Sequence, residues 1–215
     1  MIDRILRLLF PPKCVLCTQL LETGQQDICP RCRKALQEFP GTKKKISFIA
    51  GWTAVWYYKG NVRQSLMRFK FHGKRSYATT YGKFLAAHLQ NTEFSDFDIL
   101  TWVPISAKRK RKRGYDQMEL LVHAVGTALQ VTPVPTLRKH RHNPAQSTQI
   151  SAAQRRANVL GAYTVLSPDT IRGKRILLLD DIITTGATAS ECARTLMTAG
   201  AKEVTFAAVA ATDHK

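Results

Sequence analysis

The 215 residues, 44% of them apolar, suffice for one medium α/β domain or one domain with a small appendage, and 33 Lys/Arg against 15 Asp/Glu give a net charge of +18. This composition excludes a collagen-like repeat, low-complexity disorder and a disulfide-stapled miniprotein, and no apolar run of about 18 residues is present to span a membrane as a helix. The charge is segregated: residues 39–92 carry ten Lys/Arg and no acid, residues 120–168 five and no acid, and residues 169–215 six of each. Such clustering points to a polyanionic partner, nucleic acid or a phosphorylated metabolite, against the plain alternative of a basic surface with no particular partner.

In chain order, residues 1–10 place Ile2, Ile5, Leu6, Leu8, Leu9 and Phe10 among Asp3, Arg4 and Arg7. This predicts a short amphipathic helix, not a secretion signal, and a cytosolic protein. Next come Cys14-x-x-Cys17 and Cys29-x-x-Cys32, separated by eleven residues, with Pro11-Pro12 and Gly24 favouring turns. Two thiolates three residues apart reach one ion from a tight turn, and a second such turn closes a tetrahedral site. The spacing therefore predicts structural Zn²⁺ held by Cys14, Cys17, Cys29 and Cys32; redox chemistry and disulfides are the weaker alternatives in a reducing compartment. A closed four-thiolate site has no open position for a substrate.

Gly51–Lys59 reads as a strand whose Trp52, Trp56, Tyr57 and Tyr58 either pack in a core or form a base-stacking platform. Tyr77–Leu89 is periodic enough for a helix, with His88 on its surface. Asp98–Val103 reads as a buried strand ending at Pro104, followed by a loop of six consecutive cations, Lys108–Arg113. His140, Arg141 and His142 sit in a Pro/Asn-containing loop.

The segment Ile176–Thr188 carries the most chemistry. Four unalternated apolar residues read as a buried parallel strand, Ala189–Ala199 as a helix ended by Gly200, and Glu203–Ala211 as another strand. The polar loop thus falls at the carboxyl edge of a parallel sheet, where such sheets bind ligands. Thr184, Thr185, Gly186, Ala187 and Thr188 offer hydroxyls, free N–H groups and a helix dipole, which together make a phosphate cradle. Asp180 and Asp181 would repel phosphate but suit sugar hydroxyls, directly or through a divalent cation. Phosphate beside a vicinal diol describes a ribose 5-phosphate. The bland alternative makes the acids and threonines ordinary caps. Cys192, alone in the helix, reads as a core residue.

These thirteen residues resemble the phosphoribosyl pyrophosphate (PRPP) motif of type I phosphoribosyltransferases at every position. Further segments resemble the ComF family of late-competence proteins, which includes the GntX type: the four-cysteine knuckle, Tyr58–Arg63 through Phe69–Gly73, Val103-Pro104-Ile105 with Arg113–Gln117, and Ala145-Gln146 leading to Arg155–Gly161. The likeness covers nearly the whole chain. One departure is Asp116, where that family usually has Asn. The resemblance implies an α/β fold with a type I phosphoribosyltransferase-like parallel sheet, flanking helices and a hood, plus an N-terminal zinc knuckle. It puts the knuckle at 1–40 and the main domain at 41–215, with a hood from about 41–90 and 136–165 that includes Gln146, Arg155 and Asn158. It implies PRPP with Mg²⁺ as ligand, Asp180 and Asp181 on the ribose hydroxyls, residues 184–188 on the 5-phosphate, and Lys108, Arg109 and Arg113 near the pyrophosphate. Six cations exceed what one pyrophosphate needs, so the remainder serve a longer polyanion or face solvent. The implied role is handling imported single-stranded DNA in natural transformation, with competence DNA-import proteins as partners at the cytosolic membrane face. The alternative is an active phosphoribosyltransferase that releases pyrophosphate and transfers phosphoribose to an unidentified acceptor.

Overall fold

A computed structural model describes residues 11–41, 44–140 and 159–213. The amino-terminal helix expected at 1–10, and Arg141, His142, Gln146, Arg155 and Asn158, lie outside the described residues. Four parallel strands form the central sheet in the order β1-β6-β5-β2, with β1 at Trp52–Tyr57, β2 at Ile99–Trp102, β5 at Arg175–Ile183 and β6 at Glu203–Ala211. β3 (Leu137–Lys139) and β4 (Tyr163–Val165) pair antiparallel as a separate ribbon. Of the two segments expected to build a hood, 41–90 thus supplies a strand of the central sheet, whereas 136–165 supplies the ribbon.

The apolar runs of β5 and β6 are buried on both faces, as parallel strands require. Leu177 and Leu179 face one core, with Leu100, Ala207 and Val209. Ile176 and Leu178 face the other, with Ile99, Phe206 and Ala208. The first core is covered by α2 (Gly60–Phe71), α3 (Tyr77–Gln90) and α5 (Gln117–Leu129); the second by the short α6 (Pro168–Ile171), α7 (Ala187–Thr198) and the ribbon. α3 and α5 cross closely at Gly82, where a Cβ would lie 2.5 Å from the Ala124 Cβ. The outer edge of β1 is closed by residues 37–39: the Phe39 amide donates to the Val55 carbonyl and the Tyr57 amide to that of Gln37.

The four cysteines converge at the amino-terminal end, next to the short α1 (Pro30–Ala35). All four sulfurs lie within 4.8 Å of one another, and Cys17 Sγ is 3.7 Å from Cys29 Sγ. Zinc at about 2.3 Å from each sulfur in a tetrahedron needs sulfurs about 3.8 Å apart, so the donor set fits Zn²⁺. Two outer donors support it: the Cys29 amide to Cys14 Sγ and Asn61 Nδ2 to Cys32 Sγ, both at 3.4 Å. The knuckle is no detached appendage. Val15, Leu16 and Ile28 share the first core with Leu66, Phe69 and Tyr81. Cys192 is fully buried against α7's own core, as a structural cysteine.

Because the zinc ligands are continuous with the main core, Cys14→Ser is expected to lower zinc content below one ion per chain and to shift thermal unfolding of the whole domain. Metal analysis with calorimetry checks this; a metal-free wild type of unchanged stability contradicts it.

Candidate functional site: a phosphate cradle between two carboxylates and a cationic wall

Strand alternation sends the two acids at the end of β5 in opposite directions. Asp181 continues the Leu177 and Leu179 series toward α2, and Asp180 continues the Ile176 and Leu178 series toward α7 and the ribbon. Asp181 is buried, its Oδ1 2.9 Å from Lys70 Nζ near the end of α2, while its Oδ2 is buried with no hydrogen-bond partner. Asp180 Oδ1 accepts from the Asp181 amide at 2.8 Å. Burial beneath the loop, with the Asp181 charge beside it, holds Asp180 well above the usual carboxylate range.

The chain then turns through 184–186 into α7. Gly186 caps this helix at φ +78°, a left-handed conformation, and a Cβ there would meet Ile46 at 2.9 Å; both demands select glycine. Thr185 Oγ1 accepts from the Ala187 amide. The first-turn amides of a helix have no intrahelical acceptor, so the loop presents donors and the positive dipole end. A cavity of about 200 Å³ opens over it, lined by Asp180, Ile182, Thr184, Thr185, Gly186, Ala187 and Thr188, with Arg109 and Lys139 on its wall. An adjoining cavity of about 320 Å³ shares Asp180, Thr184, Thr188, Arg109 and Lys139 with it and adds Asp181, Lys70, Arg113 and Gln117. The fold thus brings all seven sequence-selected residues of the acid pair and loop onto two connected cavities.

The basic run differs from expectation. Lys108–Arg113 lies on a helix, α4 (Ala107–Arg113), not a loop: Ser106 Oγ caps it by accepting from the Arg109 amide, and Gly114 ends it at φ +72°. A helix divides the six cations among directions. Arg109 and Arg113 reach the cavities beside the acids. Lys108 and Lys112 line a neighbouring groove of about 620 Å³ together with Met67, Phe71 and Tyr115. Lys110 pairs with Glu119 at 2.9 Å. The Arg113 guanidinium rests 4.8 Å from the Phe71 ring centroid, its Nη1 buried without a hydrogen bond, and burial lowers its pKa.

Asp116, the departure from the family pattern, lines none of these cavities. Its Oδ1 accepts from the Met118 and Glu119 amides at 2.9 and 3.2 Å as the N-cap of α5, a role Asn fills equally well. His88 is not a free surface residue: it is half-buried, Nε2 2.7 Å from Thr53 Oγ1, and burial lowers its pKa. The aromatics of β1 are core. Trp52 stacks on Phe39 at 5.2 Å and Trp56 packs against Phe84 at 5.1 Å, both buried, while Tyr57 and Tyr58 are half-buried and Tyr58 lines the cavity beside the acid pair.

Two cavity residues carried no role in the sequence reading. Lys70 is 111 positions from its partner Asp181, so only the tertiary fold pairs them. Lys139 is partly buried, its Nζ donating to Tyr163 Oη at 3.0 Å, and burial lowers its pKa. Its place on the same cavity as the Thr184–Thr188 loop follows from the pairing of β3 with β4, which no local sequence signal marks.

Residues 120–215 match the family described as Phosphoribosyl transferase domain, and residues 5–43 match the Double zinc ribbon domain. The chain is 29% identical over 197 residues to Competence protein ComFC of Streptococcus pneumoniae strain R6, covering 90% of this chain and 80% of that protein. It is 22% identical over 214 residues to Competence protein F of Haemophilus influenzae strain Rd, covering 89% and 93%. It is 23% identical over 206 residues to the DNA utilization protein YhgH of Escherichia coli K12, covering 89% and 86%. With the parallel sheet, the Thr184–Thr188 loop and the four-cysteine cluster in one chain, these likenesses support a ComF-type protein that carries a type I phosphoribosyltransferase-like domain and an N-terminal zinc ribbon.

Proposed function

We propose that this protein binds PRPP with Mg²⁺ in the paired cavities and, in the cytoplasm, handles single-stranded DNA taken up during natural transformation. The observation that carries the ligand is the junction of a helix-capping Thr-Thr-Gly-Ala-Thr loop with two carboxylates and a cationic wall. Residues 184–188 hold the 5-phosphate through amides, hydroxyls and the dipole of α7. Asp180 and Asp181 accept from the ribose hydroxyls, and the unpartnered Asp181 Oδ2 suits such a donor or a water of hydrated Mg²⁺. Arg109 and Arg113, with Lys108, Lys70 and Lys139 nearby, meet the pyrophosphate.

The DNA role rests on the names of the relatives and on the charge left over. Arg111 and Lys112 are exposed on α4 beyond what one pyrophosphate needs. Competence DNA-import proteins at the cytosolic membrane face are the partners this role requires. Among the described residues no helix is long and apolar enough to cross a membrane, so such an association would be peripheral.

A second reading is enzymatic. The same cavities suit transfer of phosphoribose: the acceptor bonds to ribose C1 as the C1–O bond to pyrophosphate breaks, and the cationic wall neutralises the departing charge. The protein then needs no nucleophile of its own.

Asp180→Asn with Asp181→Asn is expected to weaken Mg²⁺-PRPP binding by about 100-fold or more, since two charge-assisted acceptors are lost, and Asp180→Asn alone, which keeps the Lys70–Asp181 pair, is expected to weaken it by about tenfold with the fold intact. Titration calorimetry reads this, and unchanged affinity contradicts the site. A raised Asp180 is protonated at a pH where an exposed carboxylate, with its pKa of about 4, is still ionised, so wild-type affinity should fall with acidification earlier than surface carboxylates titrate. Affinity for single-stranded DNA should drop steeply from low to physiological salt; a flat dependence removes the charge argument. Pyrophosphate release from bound PRPP favours the enzyme, and stable binding without release favours the ligand-bound DNA-handling protein.

A further inference from the structure

No thiol of the zinc knuckle lines the phosphate cavities, yet one helix touches both. The turn between Cys14 and Cys17 consists of Val15 and Leu16, and both carbonyls are taken by α2. Ser65 Oγ donates to the Val15 carbonyl at 2.5 Å, and Arg68 Nη2 donates to those of Leu16 and Val15 at 2.5 and 3.3 Å. Asn61, one turn earlier, donates to Cys32 Sγ. Asn61, Ser65 and Arg68 follow i, i+4, i+7 spacing, a single stripe on the helix. α3 adds a clamp: Tyr81 Oη is 2.5 Å from Ser65 Oγ, and Thr80 Oγ1 donates to Asp27 Oδ1 of the knuckle at 2.7 Å.

The last three residues of α2 hold the cavity wall. The Phe69 carbonyl accepts from Tyr115 Oη, Lys70 carries the ion pair to Asp181, and the Phe71 ring is the shelf for Arg113. A helix of 12 residues is a rod about 18 Å long, anchored on the metal-ligand turn along one stripe and on the PRPP cavity at its end.

We propose that α2 couples the zinc knuckle to the PRPP site, with Ser65 and Arg68 as positioning residues toward the metal turn and Lys70 as the positioning residue for Asp181; this rests on the PRPP reading above. Cys14 and Cys17, with zinc bound, would fix the turn between them and so present the two carbonyls to α2. Without the metal, four thiols, three of them buried, and the backbone bonds of Cys14 to Gln19, Val15 to Asp27 and Thr18 to Cys14 are left to hold that turn, and the carbonyls that set the axial position of α2 are less firmly fixed. Lys70 and Phe71 then move relative to Asp181 and Arg113. Linkage makes the effect reciprocal in affinity: PRPP bound at the far end tightens the hold on zinc, and tighter binding at an unchanged association rate is slower loss.

The test is the rate of zinc transfer from the zinc-loaded full chain to a chromogenic chelator, with and without saturating PRPP and Mg²⁺, in wild type and Arg68→Met. Neither Arg68 nor a thiol touches the phosphate cavities, so Arg68→Met is expected to keep PRPP binding by calorimetry. The expected result is at least about fivefold slower zinc release with PRPP in the wild type, and little or no slowing in Arg68→Met. An unchanged wild-type rate with PRPP demonstrably bound overturns the coupling and leaves the binding site standing. Slowing that persists undiminished in Arg68→Met overturns the assignment to α2, because general stabilisation by ligand then accounts for it. Failure of the zinc-loaded wild type to bind PRPP overturns the PRPP reading and the coupling together.

Discussion

The ion pair between Lys70 and Asp181 joins the two halves of the molecule at the point where they meet the cavities. A buried carboxylate at the end of a parallel strand is costly unless a cation answers it, and here the cation comes from a helix 111 residues earlier. The pair fixes where α2 ends, and therefore where Phe71 supports Arg113 and where the knuckle docks against Ser65 and Arg68. Only one oxygen of Asp181 is used in this way. The other is buried and unpartnered, and Asp180 is held above its ordinary range, so the acid pair stands in a state that a donor or a hydrated cation relieves. A group that stays unsatisfied in the free protein is a common mark of a binding site.

The remaining architecture serves that edge. Alanines in β6 (Ala207, Ala208, Ala210, Ala211) let helices approach the sheet closely on both faces, and their small side chains lie beside the large ones of β5. Gly186 does the same for the loop, admitting Ile46 where any Cβ would collide. The zinc knuckle contributes core as well as metal: its Val15, Leu16 and Ile28 cover helices that otherwise present Leu66, Phe69 and Tyr81 to water.

Legibility in the sequence followed the range of the interactions. The β5–loop–α7–β6 unit was readable because continuous apolar strands, a Thr/Gly turn and a glycine stop are all local signals, and the cysteine spacing was readable because one metal dictates it. α4 was not read as a helix, because six cations in a row have no apolar face to give a period; its local caps, Ser106 and Gly114, were the signal available. Asp116 was legible only as an oddity, although an Asp two residues before the apolar Met118 of a helix is an N-cap signature. Lys70 and Lys139 were beyond sequence logic. Each acquires its place from contacts across tens of residues, and nothing in their local pattern separates them from other cations.

The central claim is that PRPP occupies the cavity between the Thr184–Thr188 loop and the acid pair. Backbone amide shifts of the zinc-loaded protein, followed by nuclear magnetic resonance during titration with PRPP and Mg²⁺, test it residue by residue. The account predicts the largest shifts at residues 180–188, with smaller ones along the end of α2 at Phe69–Phe71. Shifts that leave 180–188 unmoved, or cluster instead around Trp52 and His88 at the other large cavity, contradict it.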